Sequence, residues 1–176
     1  MIFTETNLNG AYTIEPERIT DARGFFARAF DRNIFTSYDL NADVVQCNIS
    51  YNHLRGTLRG MHFQVPPYAE TKLVRCTAGA IYDVIIDLRP ESPSFRQWIS
   101  VELSADNHRL LYVPEGFAHG YQTLVDHTEV YYQTSAPYVA EAGRGLRYDD
   151  PAIGITWPLP VTVISERDQT WEFLEL

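Results

Sequence analysis

The chain has 176 residues, 45% of them hydrophobic, and its 23 aromatics comprise three Trp, eleven Tyr and nine Phe. That is ample for one core and excludes a disordered chain, so a single domain spanning 1–176 is expected. Fourteen basic against 23 acidic residues leave a formal net charge of −9, which argues against nucleic-acid or anionic-membrane binding.

In chain order, residues 31–39 predict one short amphipathic helix, and 44–51 and 71–77 read as strands. Residues 80–89 (AIYDVIIDLR) place Tyr82, Val84, Ile86 and Leu88 on one face and Ile81, Asp83, Ile85 and Asp87 on the other. Residues 97–104 (QWISVELS) alternate cleanly, with Ile99, Val101 and Leu103 opposite Ser100 and Glu102. Further strands are expected over 109–114 and 130–136, and a second helix over 165–176. Short strands separated by turn residues predict an all-β fold, best described as a jelly-roll β-barrel with minor helices at its edges. Polar pairs at period-two positions, such as Gln46 and Asn48 or Asp83 and Asp87, belong either on the surface or in the lumen of a barrel that holds a polar ligand.

No apolar run reaches the length of a membrane span, and the start, Met1-Ile2-Phe3-Thr4-Glu5, lacks a signal peptide's basic and apolar regions. Cys47 and Cys76 are too few for a disulfide scaffold or a zinc ribbon, so a cytoplasmic protein is expected. The basic set is thirteen Arg and one Lys, Lys72; an anionic ligand would need a local Arg cluster within an acidic molecule.

Five histidines occur, and two have unusual surroundings: His62 in Leu58-Arg59-Gly60-Met61-His62-Phe63-Gln64, and His119 in Pro114-Glu115-Gly116-Phe117-Ala118-His119-Gly120. A metal in a jelly roll wants two histidines one residue apart with a carboxylate close by. Here Gln64 stands two after His62 and the next carboxylate is Glu70, so no metal and no cofactor are expected. Acid–base chemistry is left to His62, His119, Tyr132, Tyr138, Asp83 and Asp168, with Arg23, Arg59 and Lys72 as charge stabilisers. A base and an acid on opposite faces of one carbon, with a cation at the neighbouring carbonyl, make an epimerase kit.

Three more groups of residues extend the pattern. Asp21-Ala22-Arg23-Gly24-Phe25-Phe26 and Gln46-Cys47-Asn48-Ile49-Ser50 precede the His62 segment. Lys72-Leu73-Val74, Asp83-Val84-Ile85-Ile86-Asp87-Leu88-Arg89 and Ser92-Pro93 follow it. Asp149-Asp150-Pro151, Trp157-Pro158 and Ser165-Glu166-Arg167-Asp168 complete the series. In this order and spacing, over nearly the whole chain, the sequence resembles the dTDP-4-dehydrorhamnose 3,5-epimerase family.

The resemblance implies a metal-free cupin-type jelly roll, a homodimer that exchanges an N-terminal strand, and a nucleoside-diphosphate 4-keto-6-deoxyhexose inverted at C3 and C5. It implies His62 as general base, Asp168 as the carboxylate that orients it, Tyr132 as the opposing acid and Lys72 as the cation near the enolate oxygen. It assigns Arg23, Arg59 and His119 to diphosphate and sugar contacts, Gln46 and Asn48 to polar substrate contacts, and Tyr138 to stacking on the base. Asp83 is expected to support a histidine or Lys72. The chain departs from the family pattern at Arg28 and Gly143, where glutamates associated with nucleotide recognition are common. That leaves a CDP- or GDP-linked substrate, or inversion at C3 alone, as alternatives. A catalytically silent sugar-nucleotide-binding jelly roll is a further one.

Arg59 and His62 are separated by an odd number of residues, which on a regular strand points them to opposite faces. If both serve one site the strand must bulge, and Gly60 is the expected place.

Overall fold

Alternating runs become strands in the computed structural model, which describes residues 1–174. In chain order they are β1 (Ile2–Glu5), β2 (Tyr12–Glu15), β3 (Arg18–Asp21), β4 (Gly24–Ala27), β5 (Gln46–Asn52), β6 (Leu58–Gln64) and β7 (Lys72–Ala78). They continue with β8 (Ala80–Asp87), β9 (Trp98–Ser104), β10 (Leu110–Val113), β11 (Phe117–Thr123), β12 (Thr128–Thr134) and β13 (Gly143–Gly145). Two short helices, α1 (Arg32–Ser37) and α2 (Glu166–Gln169), lie among them.

The strands form two facing antiparallel sheets, ordered β1-β2-β10-β7-β12-β5 and β13-β6-β11-β8-β9, with β3 and β4 standing apart as a hairpin. This is the expected all-β jelly roll. Between the sheets, Val74, Cys76, Leu111, Val113 and Val130 of one meet Ile81, Ile85, Leu103, Phe117 and Tyr121 of the other. The outer faces are covered as well. Phe35 of α1 packs over the first sheet with Ile14, Leu73 and Leu110, while Ile153, Trp157 and Leu174 cover Met61, Val84 and Ile86 of the second. Both faces of β8 are therefore buried, which is why both of its alternating sets carry buried isoleucine or valine, Ile81 and Ile85 in one and Val84 and Ile86 in the other.

Helix α1 starts where Asp31 caps it, accepting from the N–H groups of Asn33 and Ile34 at 3.0 and 3.3 Å. The expected C-terminal helix shrinks to one turn. Ser165 caps α2 by accepting from Asp168 N–H at 3.1 Å, and the chain then leaves helical geometry. Leu174 N–H donates to Asp150 Oδ2 at 2.6 Å, and the Leu174 side chain joins the outer apolar layer. Anchoring there needs an extended segment, so tertiary contacts override helix propensity; residues 175–176 of that expectation lie outside the described ones. Strand β11 and the N-terminal strands lack an alternation that marks them in the sequence.

Candidate active site

One end of the space between the sheets is open and holds a cavity of about 430 Å³, a size that suits a small-molecule ligand. Its walls come from both sheets: β6 and β11 supply Arg59, His62, His119 and Tyr121, while β5, β7 and β12 supply Gln46, Asn48, Ser50, Lys72 and Tyr132.

The expected bulge is present. His62 pairs with His119 and Arg59 with Tyr121, so three steps along β6 match two along β11. Gly60 takes φ +124°, and a Cβ on it would come within 2.5 Å of Gly120 Cα. Only glycine permits that backbone approach, and the extra residue turns Arg59 and His62 into the same cavity.

His62 Nε2 lies 2.6 Å from Asp168 Oδ1. The histidine side chain is 43% exposed and the carboxylate only 5%, so the ring can meet a ligand while its partner cannot. Burial pushes the Asp168 carboxyl up, but the bond to His62, the His62 charge and the Gly60 and Trp171 donors outweigh it, holding the group below the usual carboxylate range. An ionised carboxylate only accepts, so the Nε2 that faces Asp168 carries a hydrogen, and Nδ1 is the ring nitrogen left for a ligand. The segment just before α2 docks at the start of β6, where Val163 bridges Thr57 and its carbonyl accepts Leu58 N–H at 2.8 Å. A second pair, His119 Nε2 and Asp83 Oδ1 at 2.7 Å, is almost fully buried on the neighbouring strands.

Across the cavity, burial lowers the affinity of the Lys72 ammonium for its proton, and Glu70 and Asp83 oppose the shift. Lys72 Nζ lies 3.3 Å from Glu70 Oε1 and donates to the His62 carbonyl at 3.3 Å. Glu70 also accepts from Gln64. Burial, then the Glu70 charge, raises the Tyr132 phenol above its ordinary value, so it is a proton donor at neutral pH. At the mouth, Arg59 Nε donates to Asn52 Oδ1 at 2.7 Å, and Asn52 in turn donates to Tyr121 at 3.2 Å. Gln46 accepts from Tyr138 N–H at 2.8 Å, and the Tyr138 ring stands 57% exposed beside Arg167. A base from one sheet, an acid and a cation from the other, and a guanidinium rim can move a proton across one carbon while holding an anionic tail.

The dTDP-4-dehydrorhamnose 3,5-epimerase family model matches residues 5–175. The chain belongs to that family. It is 45% identical over 97% of its length to the dTDP-4-dehydrorhamnose 3,5-epimerase of Sinorhizobium fredii, 88% of which is covered. The Bacillus anthracis epimerase, crystallised with TDP and PPi bound, superposes with a TM-score of 0.94 at 43% identity, covering 98% of this chain and 99% of that one. The Legionella pneumophila enzyme, solved with dTDP-4-keto-L-rhamnose, does so at 0.91 and 34%, covering 98% and 92%. The protein is thus an isomerase of the epimerase type.

Of the residues expected in this epimerase's site, His62, Lys72, Tyr132, Gln46, Asn48, Arg59, His119 and Tyr138 line the cavity. Asp168 and Asp83 sit directly behind the two histidines. Asp87, paired with Asp83 in the reading that left surface or lumen open, takes neither place and ties down a loop through Arg89, Ser92 and Ser94. Arg23 is not brought in. It sits in the β3–β4 turn with its side chain 90% exposed, paired with Asp21, and does not line the cavity of its own chain. Arg28 likewise pairs outside it, with Asp31 at 3.2 Å. The sequence did not point to Ser50, Asn52, Tyr121 or Glu70 as parts of the site; for β5 the signal was the continuing polar alternation from Gln46 through Asn52.

Proposed function

We propose that the protein inverts C3 and C5 of dTDP-4-dehydro-6-deoxyglucose to give dTDP-4-dehydrorhamnose. The observation that carries this is a carboxylate-held imidazole and a protonated phenol reaching one cavity from facing sheets. Both carbons flank the C4 ketone, so one enolate acidifies both protons. His62 Nδ1 takes the proton from one face of the ring, Asp168 steadies the imidazolium, and Lys72 balances the charge on O4. Tyr132 delivers its phenolic proton from the opposite face; the imidazolium then loses its proton to solvent and the phenolate regains one. Arg59 faces the diphosphate, His119, held by Asp83, contacts the sugar with Gln46 and Asn48, and Tyr138 stacks on the base. No step requires a metal or cofactor.

The active form is a homodimer. The hairpin bearing Arg23 leaves Ile19 and Phe26 at 71% and 66% exposure and aims no side chain at its own cavity, which fits an arm that exchanges with a partner and adds Arg23 to the partner's site. Residues 1–176 act as one epimerase domain. A cytoplasmic location fits the two free cysteines, and among the described residues no helix is long and apolar enough to cross a membrane.

One observation favours a second nucleotide. Gly143 lies at the cavity rim, where a Cβ would stand 3.5 Å from Arg167 Nη2 and 3.8 Å from the Tyr138 ring. A carboxylate missing there changes the nucleotide end of the site, so CDP- and GDP-linked sugars belong in the test. Proton NMR in deuterated water with the three 4-keto-6-deoxyglucose nucleotides is expected to show deuterium at C3 and C5 of the dTDP sugar. His62→Ala should slow that exchange by roughly a hundred- to ten-thousand-fold. Exchange at C3 alone would make the protein a 3-epimerase, and binding without exchange a silent sugar-nucleotide-binding jelly roll.

A further inference from the structure

Asp168 receives three donors. Gly60 N–H reaches Oδ2 at 3.3 Å and His62 Nε2 reaches Oδ1 at 2.6 Å. The third is the indole Nε1–H of Trp171, 3.3 Å from the same Oδ1. Two contacts fix that ring. A Cβ on Gly145 would lie 2.2 Å from Trp171 Cε2, so the indole occupies space that any other residue would fill. Gly145 is also the register partner of His62 between β13 and β6, which seats the indole beside the base's own backbone. On α2, the Arg167 guanidinium lies 4.9 Å from the Trp171 ring centroid.

We propose that Trp171 is a positioning residue of the His62–Asp168 pair: its indole N–H shares Asp168 Oδ1 with the imidazole and limits how strongly the carboxylate holds a proton on His62. A carboxylate oxygen divided between two donors is less basic toward each. The ring is thereby oriented without being charged before it meets the substrate. The other groups facing His62 are Lys72 at its carbonyl, Glu70 behind Lys72, the Tyr132 phenol of β12, the His119–Asp83 pair of β11 and β8, and Arg144 and Arg167 at the rim. Removing the indole donor leaves all of them in place. The inference rests on His62 being the base.

Trp171→Phe keeps an aromatic ring against Gly145 and removes the donor. The acid limb of kcat/KM for C3 exchange should move to higher pH by about 0.5 unit, roughly a threefold change in proton affinity. The midpoint of the His62 ring titration, followed by NMR in the unliganded protein, should move the same way. Gly145→Ala, which displaces the indole, should reproduce both shifts. If both variants fold and neither midpoint moves, or if the midpoints fall, the inference is overturned. The ring titration does not depend on turnover, so a parent protein that exchanges no substrate proton would sink the epimerase reading without touching this measurement.

Discussion

Tyr132 and His62 carry opposite halves of the proposed chemistry, and the separation of their roles is open to measurement. Burial and Glu70 keep the phenol protonated, and Tyr132→Phe removes that proton while keeping the ring. Inversion at C5 should fall by about a hundredfold or more, with deuterium exchange at C3 much less affected, both read in one NMR time course. Equal loss at both carbons would remove the division of roles. At this scale the sequence was informative where chemistry demands a residue type: His62, Lys72, Tyr132 and Asp168 stood out by kind and by family pattern. Glu70 did not, because a carboxylate two residues from a lysine is ordinary on any surface. Only burial of both side chains, 9% and 10% exposed, makes that pair matter.

Among the elements, β6 and the β8–β9 connection show two uses of special residues. The bulge in β6 was readable from the odd spacing of Arg59 and His62 with a glycine between them. The role of Asp87, at the end of β8, was not, since its alternation with Asp83 left only a choice between the surface and the lumen. Its carboxylate instead accepts from Arg89, Ser92 and Ser94 at 2.5 to 2.9 Å, and these donors overcome burial and hold it down to about 2. A carboxyl depressed in the folded state stabilises the fold above its ordinary value of 3.8, and that stabilisation is lost as the pH falls toward 2. Urea unfolding should therefore show a loss on the order of 2 kcal/mol between about pH 4 and pH 2 from this group. Asp87→Asn should destabilise by about 3 kcal/mol at neutral pH, and the difference from the parent protein should shrink across that window. A constant difference down to pH 2 would show that the carboxylate's charge is irrelevant.

For the whole molecule, a net charge of −9 coexists with a cationic cavity rim of Arg59, Arg144 and Arg167, so attraction for a diphosphate is local rather than global. In the proposed homodimer, Arg23 would extend that logic to the partner's site. Light scattering is expected to give twice the monomer mass. Arg23→Ala should raise KM by about tenfold with little change in kcat, as expected for lost diphosphate binding. Mixing it with inactive His62→Ala chains should restore the parent KM at roughly a quarter of the sites, those pairing an intact His62 with the partner's Arg23. A monomer, or mixed chains that regain nothing, would rule out the shared site.

Residue identity and spacing by themselves determined the all-β class, six of the thirteen strands among the described residues, the candidate acid–base residues and the glycine bulge, because these follow from side-chain period, turn chemistry and the proton affinities of free side chains. The facing sheets decided what no local pattern holds. They settled which of β5's two faces turns inward, leaving Gln46, Asn48 and Ser50 inside and Ile49 67% exposed on an edge strand. Pairing within the second sheet brought Asp83 of β8 to His119 of β11, 36 residues away, and the docked C-terminal segment brought Asp168 to His62 across 106. Such pairings depend on burial and on contacts between segments far apart in the chain, and both exist only once the two sheets have closed over their common core.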